Sequence, residues 1–262
     1  MQTSETAAPS IVSATVRGTI VTSPQKSAIV TGASRGIGAG IVNRFLERGY
    51  NVCANSRSVT QSSEIAPSDR VVLVDGDIAE PATAAKVVDT ALSRFESIDV
   101  LVNNAGIFVT KPFTDYTQAD LKLLVSTNVE GFLYVTQLSI KQMLEQPSRG
   151  SIVTITAALA RNPIRGVMAA VPMLTKGGLE TITLHLAMEY ATDGIRVNAV
   201  APGVVYTALH QNTPKEEMEG LSPMGRPSVV QNIVDAVMYL TNAPTTTGNI
   251  LYVDGGSHFG CW

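Results

Sequence analysis

Cysteine is almost missing from this chain. There are two in 262 residues, Cys53 and Cys261, far apart and without metal-ligand spacing. Neither a disulfide scaffold nor a cysteine-built metal centre is expected. Cys53 lies in an apolar, strand-like stretch and reads as a buried thiol, in keeping with a reducing cytoplasm. Long hydrophobic runs are missing too, and none reaches the roughly 18 residues of a membrane-crossing helix. Residues 1–25 are rich in Ser, Thr and Ala and lack the charged-then-apolar order of a signal peptide. Charged residues are sparse, at 16%, and the net charge of −3 provides no basic footprint for nucleic acid. These absences point to a small-molecule partner, with no nucleic acid and no membrane.

What is present is 45% hydrophobic residues and enough length for one large α/β domain with a full core. Residues 1–25 read as a flexible or surface-packed extension in which Val12 to Val21 offers a short edge strand. Residues 26–262 form the domain. There, apolar runs at Ala28–Val30, Asn51–Ala54, Val71–Val74, Val100–Val102, Ser151–Thr156, Ile195–Val200 and Ile250–Val253 alternate with helical patterns. The helices are expected at Gly38–Arg48 and at about 81–95, 117–145 and 173–191. Runs that are apolar without alternation suit strands buried on both faces. The alternation predicts a single Rossmann-type, doubly wound α/β domain, an approximately seven-stranded parallel sheet with helices on both faces. Residues 203–227 read as a loop with a short helix near Lys215–Leu221.

The first run leads into Thr31-Gly32-Ala33-Ser34-Arg35-Gly36-Ile37-Gly38, which opens a helix. Glycines in such a turn let a pyrophosphate approach the backbone and the positive end of the helix. Gly32, Ser34, Arg35, Gly36, Ile37 and Gly38 are therefore candidate cofactor residues. The second run ends in Asn55-Ser56-Arg57, where an enzyme preferring NAD usually places a carboxylate for the ribose 2′-hydroxyl. No carboxylate stands there. Arg57 and Arg35 suit a 2′-phosphate clamp instead, which predicts NADPH. The plainer alternative is a solvated surface arginine.

With NNAG at 103–106, Asn128 in STNVEG, Lys176, PGVVYT at 202–207 and VDGG at 253–256, the chain resembles the short-chain dehydrogenase/reductase family over about residues 26–262. The resemblance implies that Asn104, Ala105 and Gly106 floor the cofactor site. Asp77, beside Ile78, would accept from the adenine amino group. Val205 and Thr207, after Pro202 and Gly203, would hold the nicotinamide carboxamide, and Lys176 would bind the nicotinamide ribose. It also implies a homodimer or homotetramer built on the helices at 117–145 and 173–191, with the apolar Phe259-Gly260-Cys261-Trp262 end as a further interface element.

The family's site combines Asn, Ser, Tyr and Lys. Asn128 and Lys176 match. Four residues before the lysine, where the tyrosine would protonate a nascent alkoxide, stands Pro172. It is compatible with a first helical turn but unable to donate a proton. The serine position falls on Ala157 or Leu159, according to how the strand end is aligned, and neither has a hydroxyl. Asn128 has the alternative of simply bonding backbone. Tyr206 is the candidate replacement donor or substrate anchor, and His210, which titrates near neutrality, a weaker one. Ala157, Leu159, Met168, Pro172, Tyr206 and His210 are the candidate substrate pocket. Arg161, Asn162 and Arg165 read as surface residues at the cleft mouth, with contact to substrate as the alternative, and Met173 and Met224 as packing or pocket lining.

General acid catalysis is typically worth about 10²–10⁴-fold, so a missing acid bears on the substrate. An iminium ion arrives already protonated, and hydride transfer to it yields a neutral amine. This predicts an NADPH-dependent imine reductase acting on a cyclic imine or iminium. The alternatives are a ketone reductase with a relocated donor such as Tyr206, and a non-catalytic NADPH-binding protein.

Overall fold

The computed structural model describes residues 25–207 and 213–260. The expected strand at Val12–Val21, His210, Cys261 and Trp262 lie outside the described residues. Strands β1 (Ser27–Thr31), β2 (Asn51–Ser56), β3 (Val71–Asp75), β4 (Val100–Asn103), β5 (Gly150–Ile155), β6 (Ile195–Pro202) and β9 (Ile250–Val253) form one parallel sheet in the order β3-β2-β1-β4-β5-β6-β9. Two-residue strands β7 (Val205–Tyr206) and β8 (Ser228–Val229) pair separately.

The apolar runs are explained by burial on both faces. Ala28 and Val30 of β1 face one layer, made with α1 (Gly36–Glu47) and α7 (Val230–Asn242). Ile29, pointing the other way, joins the layer made with α2 (Pro81–Phe95), α4 (Gly131–Glu145) and α5 (Ala170–Glu189). The same split recurs in β2, where Val52 and Ala54 oppose Cys53. Cys53 is fully buried, and burial pushes its thiol up to about 12.

Helix 117–145 is divided. Thr117 caps α3 (Gln118–Val125) in a reciprocal box with Asp120. A wider π turn at Ser126–Glu130 then leads into α4. Pro172 sits in the first turn of α5, as its missing N–H allows. The short helix α6 spans Lys215–Gly220. Strand order reverses between β1 and β4, so their carboxyl ends flank the crevice in which open α/β sheets bind ligands.

Candidate active site

The crevice is floored by a knot of short contacts. The Thr31 hydroxyl accepts from the backbone N–H groups of Asn104 and Ala105, at 3.2 and 3.1 Å. The Asn104 amide donates to the carbonyls of Thr31 and Gly32, both at 3.0 Å. This locks the glycine turn after β1 onto the segment after β4. Gly32 has a φ of +63°, and a Cβ there would lie 2.7 Å from the Cα of Ala105. A Cβ on Gly38 would lie 2.2 Å from the Gly32 carbonyl oxygen. Backbone packed this closely admits only glycine, and it leaves a shallow cradle at the start of α1 that fits a dinucleotide.

The rim of the cradle comes from β2. The Ala33 N–H donates to the Asn55 carbonyl at 2.9 Å. Arg35 and Arg57, each two residues beyond that contact, are both exposed. The Asn55 side chain has a bracing role: buried, it donates to the carbonyls of Val74 and Gly76 at 2.9 and 3.2 Å. Asp77 is exposed and caps its own turn through the Ala79 N–H, while Ile78 is core. On the opposite side the chain leaves β6 at Pro202, passes Gly203 tight against Asp254, and brings Thr207 over the glycine turn. A Cβ on Gly36 would be 3.7 Å from the Thr207 methyl. Val205 is buried, and Tyr206 beside it is 38% exposed.

Lys176 is 8% exposed. Its Nζ donates to the Ile155 carbonyl, at the end of β5, at 2.7 Å. A Cβ at Gly106 would lie 3.0 Å from this nitrogen and 3.2 Å from Asn128 Oδ1, so all three groups share one corner of the crevice. Burial alone lowers the Lys176 pKa to about 8. Asn128 is also buried and bonds backbone, the alternative set against a catalytic role. It accepts from the Ile107 N–H at 2.8 Å and donates to the Ile107 carbonyl at 3.1 Å and the Thr175 hydroxyl at 2.9 Å. One turn before Lys176, the buried Pro172 ring offers no polar atom, and its carbonyl accepts from Thr175.

Beyond this corner a cavity of about 360 Å³ is lined by Leu159, Met168, Met173, Phe113, Pro163 and Val167, among others. It lies between the segment after β5 and the segment after β4. These are stitched together by Lys111 N–H to the Met168 carbonyl at 3.0 Å, while the Tyr116 hydroxyl donates to the Val109 carbonyl at 2.7 Å and so braces the segment after β4 internally. Of the expected pocket residues, Leu159 and Met168 line this cavity. Ala157 lies just past the end of β5, Pro172 is in the first turn of α5, and Tyr206 is in β7.

This geometry agrees with comparison to known proteins. A family model described as enoyl-(acyl carrier protein) reductase matches residues 32–258. The chain belongs to the short-chain dehydrogenase/reductase family. It is 32% identical over 248 residues to a tropinone reductase homolog of Arabidopsis thaliana, covering 90% of this chain and 91% of that one. It is 33% identical over 249 residues to a glucose 1-dehydrogenase of Gluconobacter oxydans, covering 88% and 91%. The fold superposes on a 3-ketoacyl-(acyl-carrier-protein) reductase from Brucella melitensis complexed with NADH, with a TM-score of 0.84, 30% identity, and coverage of 90% and 100%. It also superposes on ElxO with NADP bound, with a TM-score of 0.81, 25% identity, and coverage of 89% and 98%. As a short-chain dehydrogenase/reductase, the protein is an NAD(P)-dependent oxidoreductase.

Several site residues of this family member escape sequence reasoning. Thr31 was legible only as part of a motif. Tyr116 has no pattern around it. Asn162, read as a surface residue, instead donates to the carbonyls of Ser257 and Gly260, both at 3.0 Å, and ties the cavity wall to the C-terminal turn. Glu64 lies in an irregular loop, yet its carboxylate accepts from the Gly36 N–H at 2.7 Å.

Proposed function

We propose that the protein is an NADPH-dependent imine reductase acting on cyclic imines or iminium ions. The observation that carries this reading is the lysine corner. The residue one turn before Lys176 is Pro172, and the segment after β5 presents Ala157 and Leu159, so among the described residues none of these three positions offers a hydroxyl to a substrate oxygen. The neighbouring cavity is lined chiefly by apolar side chains and suits a bulky ring. A bound nicotinamide cofactor supplies the hydride. The chain's part is to orient and exclude water. Lys176 and the backbone around Gly106 hold the ribose side, and the apolar wall receives the ring. Hydride addition to a ketone builds alkoxide charge that this wall would leave unpaired. Addition to an iminium removes charge instead.

Arg35 in the glycine turn and Arg57 just past β2, both exposed, support NADPH over NADH through charge-assisted bonds to a 2′-phosphate. Apolar residues exposed along α5 support a homodimer or homotetramer. Ketone reduction with Tyr206 as the donor is the second reading. It is favoured by the partial exposure of that side chain on the loop beside the glycine turn.

The test is NADPH oxidation with a bicyclic aryl imine and its ketone analogue, at about pH 6–9, a range spanning typical general-acid values. Faster turnover of the imine, rising as pH falls and iminium accumulates, is the expected outcome. A preference for the ketone, abolished in Tyr206→Phe with NADPH binding intact, would replace it with the second reading. Turnover of neither, with NADPH still bound, would favour a binding protein.

A further inference from the structure

The end of β2 offers no carboxylate to a ribose, but the fold brings one from farther along the chain. Residues 57–70 connect β2 to β3 around a single 3-10 turn at Val59–Gln61. Val59 and Ile65 are buried in the core and pin this loop at two points. Between them Glu64 is exposed, and it is held from both ends. Its backbone carbonyl accepts from the Asn43 amide on α1 at 2.7 Å, and Asn43 in turn accepts from the Ala66 N–H at 2.9 Å. Its carboxylate sits on the Gly36 N–H at 2.7 Å, 28 residues away in sequence. Two residues earlier, the Ser62 hydroxyl donates to the Ser34 carbonyl at 2.6 Å and fixes the loop against the glycine turn.

The loop carrying Glu64 follows β2, whose end marks the ribose side of a dinucleotide in this architecture. Glu64 is thereby held against Gly36, next in sequence to Arg35, on the loop that leaves β2 past Arg57. Its negative charge rests on the positive end of α1, a position that an incoming phosphate also favours. A 2′-phosphate adds about two negative charges near this carboxylate, whereas a 2′-hydroxyl can donate to it. The two arginines act in the opposite sense. The cofactor preference is then set by three charges rather than by the two that the sequence suggests.

We infer that Glu64 is a specificity-determining residue that weakens the binding of NADPH relative to NADH, counteracting Arg35 and Arg57. The inference rests on the proposed ribose-side clamp but not on the identity of the substrate. The experiment is direct titration of the full chain with NADPH and with NADH, followed by nicotinamide fluorescence, in the wild type, Glu64→Gln and Arg57→Ala. Glu64→Gln keeps the size and removes the charge of an exposed side chain. It should tighten NADPH by about threefold to tenfold, as for removal of a like charge near a protein surface. NADH should be unchanged or weakened, and the gain on NADPH should shrink as salt is raised. An unchanged ratio of the two affinities would overturn the inference, whether neither moves or both move together as for a merely structural brace. A rise in NADH affinity alone would overturn it as well. Arg57→Ala tests the clamp separately: if NADPH binding does not fall there, the clamp fails while the Glu64 ratio is still read on its own. Failure of the imine assay touches neither measurement.

Discussion

Lys176 carries its ammonium into a buried corner and touches one carbonyl, that of Ile155. Burial lowers its pKa from 10.5 to about 8, and nothing else contributes to the shift. The unfolded chain keeps this proton up to about 10.5, while the folded chain releases it near 8. Between those values the unfolded state binds more protons, so stability of the nucleotide-free protein rises with pH across that window. Below it, holding the charged form inside costs on the order of 3 kcal/mol, at about 1.4 kcal/mol per unit. Lys176→Met is therefore expected to stabilise the nucleotide-free protein at neutral pH by about 1–3 kcal/mol, the lower figure allowing for the lost bond to Ile155. It should also flatten the rise in stability between pH 8 and 10.5. Urea titrations of both proteins at several pH values read both effects. The same change should weaken NADPH binding, which would make the lysine a functional group kept at the expense of stability. A variant less stable than the wild type at neutral pH would refute the account.

The run from α3 to α4 shows how a single element can serve the site. Apolar spacing suggests one helix over 117–145, because a π turn adds a residue to one turn and leaves the flanking periodicity almost intact. The structure places that wider turn at Ser126–Glu130, a departure often found at functional sites. Asn128, inside it, satisfies both backbone groups of Ile107 and reaches Thr175 on α5. Three segments around Lys176 are thus joined by one side chain. Asn128→Ala would leave the Ile107 N–H and carbonyl without their partner. At about 1–3 kcal/mol for each buried group left unpaired, the expected loss is about 2–4 kcal/mol in urea unfolding, with a fall in turnover from the loosened corner. Asn128→Asp still accepts from the Ile107 N–H but cannot donate to the carbonyl, so an intermediate loss is expected. A change below about 0.5 kcal/mol for the alanine variant would fit an unimportant surface substitution and dismiss this bracing role. The π turn and these contacts were hidden from sequence reading for the same reason: both are decided by which segments meet, not by local spacing.

At the scale of the molecule, the sheet was legible because its inner strands, such as β1, β4 and β5, are buried on both faces and so carry apolar residues without alternation, while the half-buried edge strands β3 and β9 are also mainly apolar. The glycine turn was legible because its chemistry is local, from Gly32 to Gly38. Glu64 and Asn162 were not, since a loop residue acquires its partner only when the chain has folded. Assembly belongs to this scale too. Along α5, Leu174, Gly178, Thr181, Leu184 and Met188 recur every three or four residues on the exposed side, and Met188 is 81% exposed. A Cβ at Gly178 would meet nothing within 4 Å, so the stripe has a shallow centre against which a second helix could pack closely. Leu121 and Leu123 of α3 and Leu144 of α4 are exposed as well. An exposed apolar stripe of this kind would serve as an association face, and a two-fold pairing would set each α5 against its own copy. Two carboxylates placed in that face would have to be desolvated on pairing, a cost of several kcal/mol. The double variant Leu184→Asp, Met188→Asp should therefore have half the wild-type mass or less by light scattering, while retaining its circular dichroism and NADPH binding. A wild-type protein that is monomeric at micromolar concentration, or a variant of unchanged mass, would remove α5 as the interface and leave the exposed stripe to another partner.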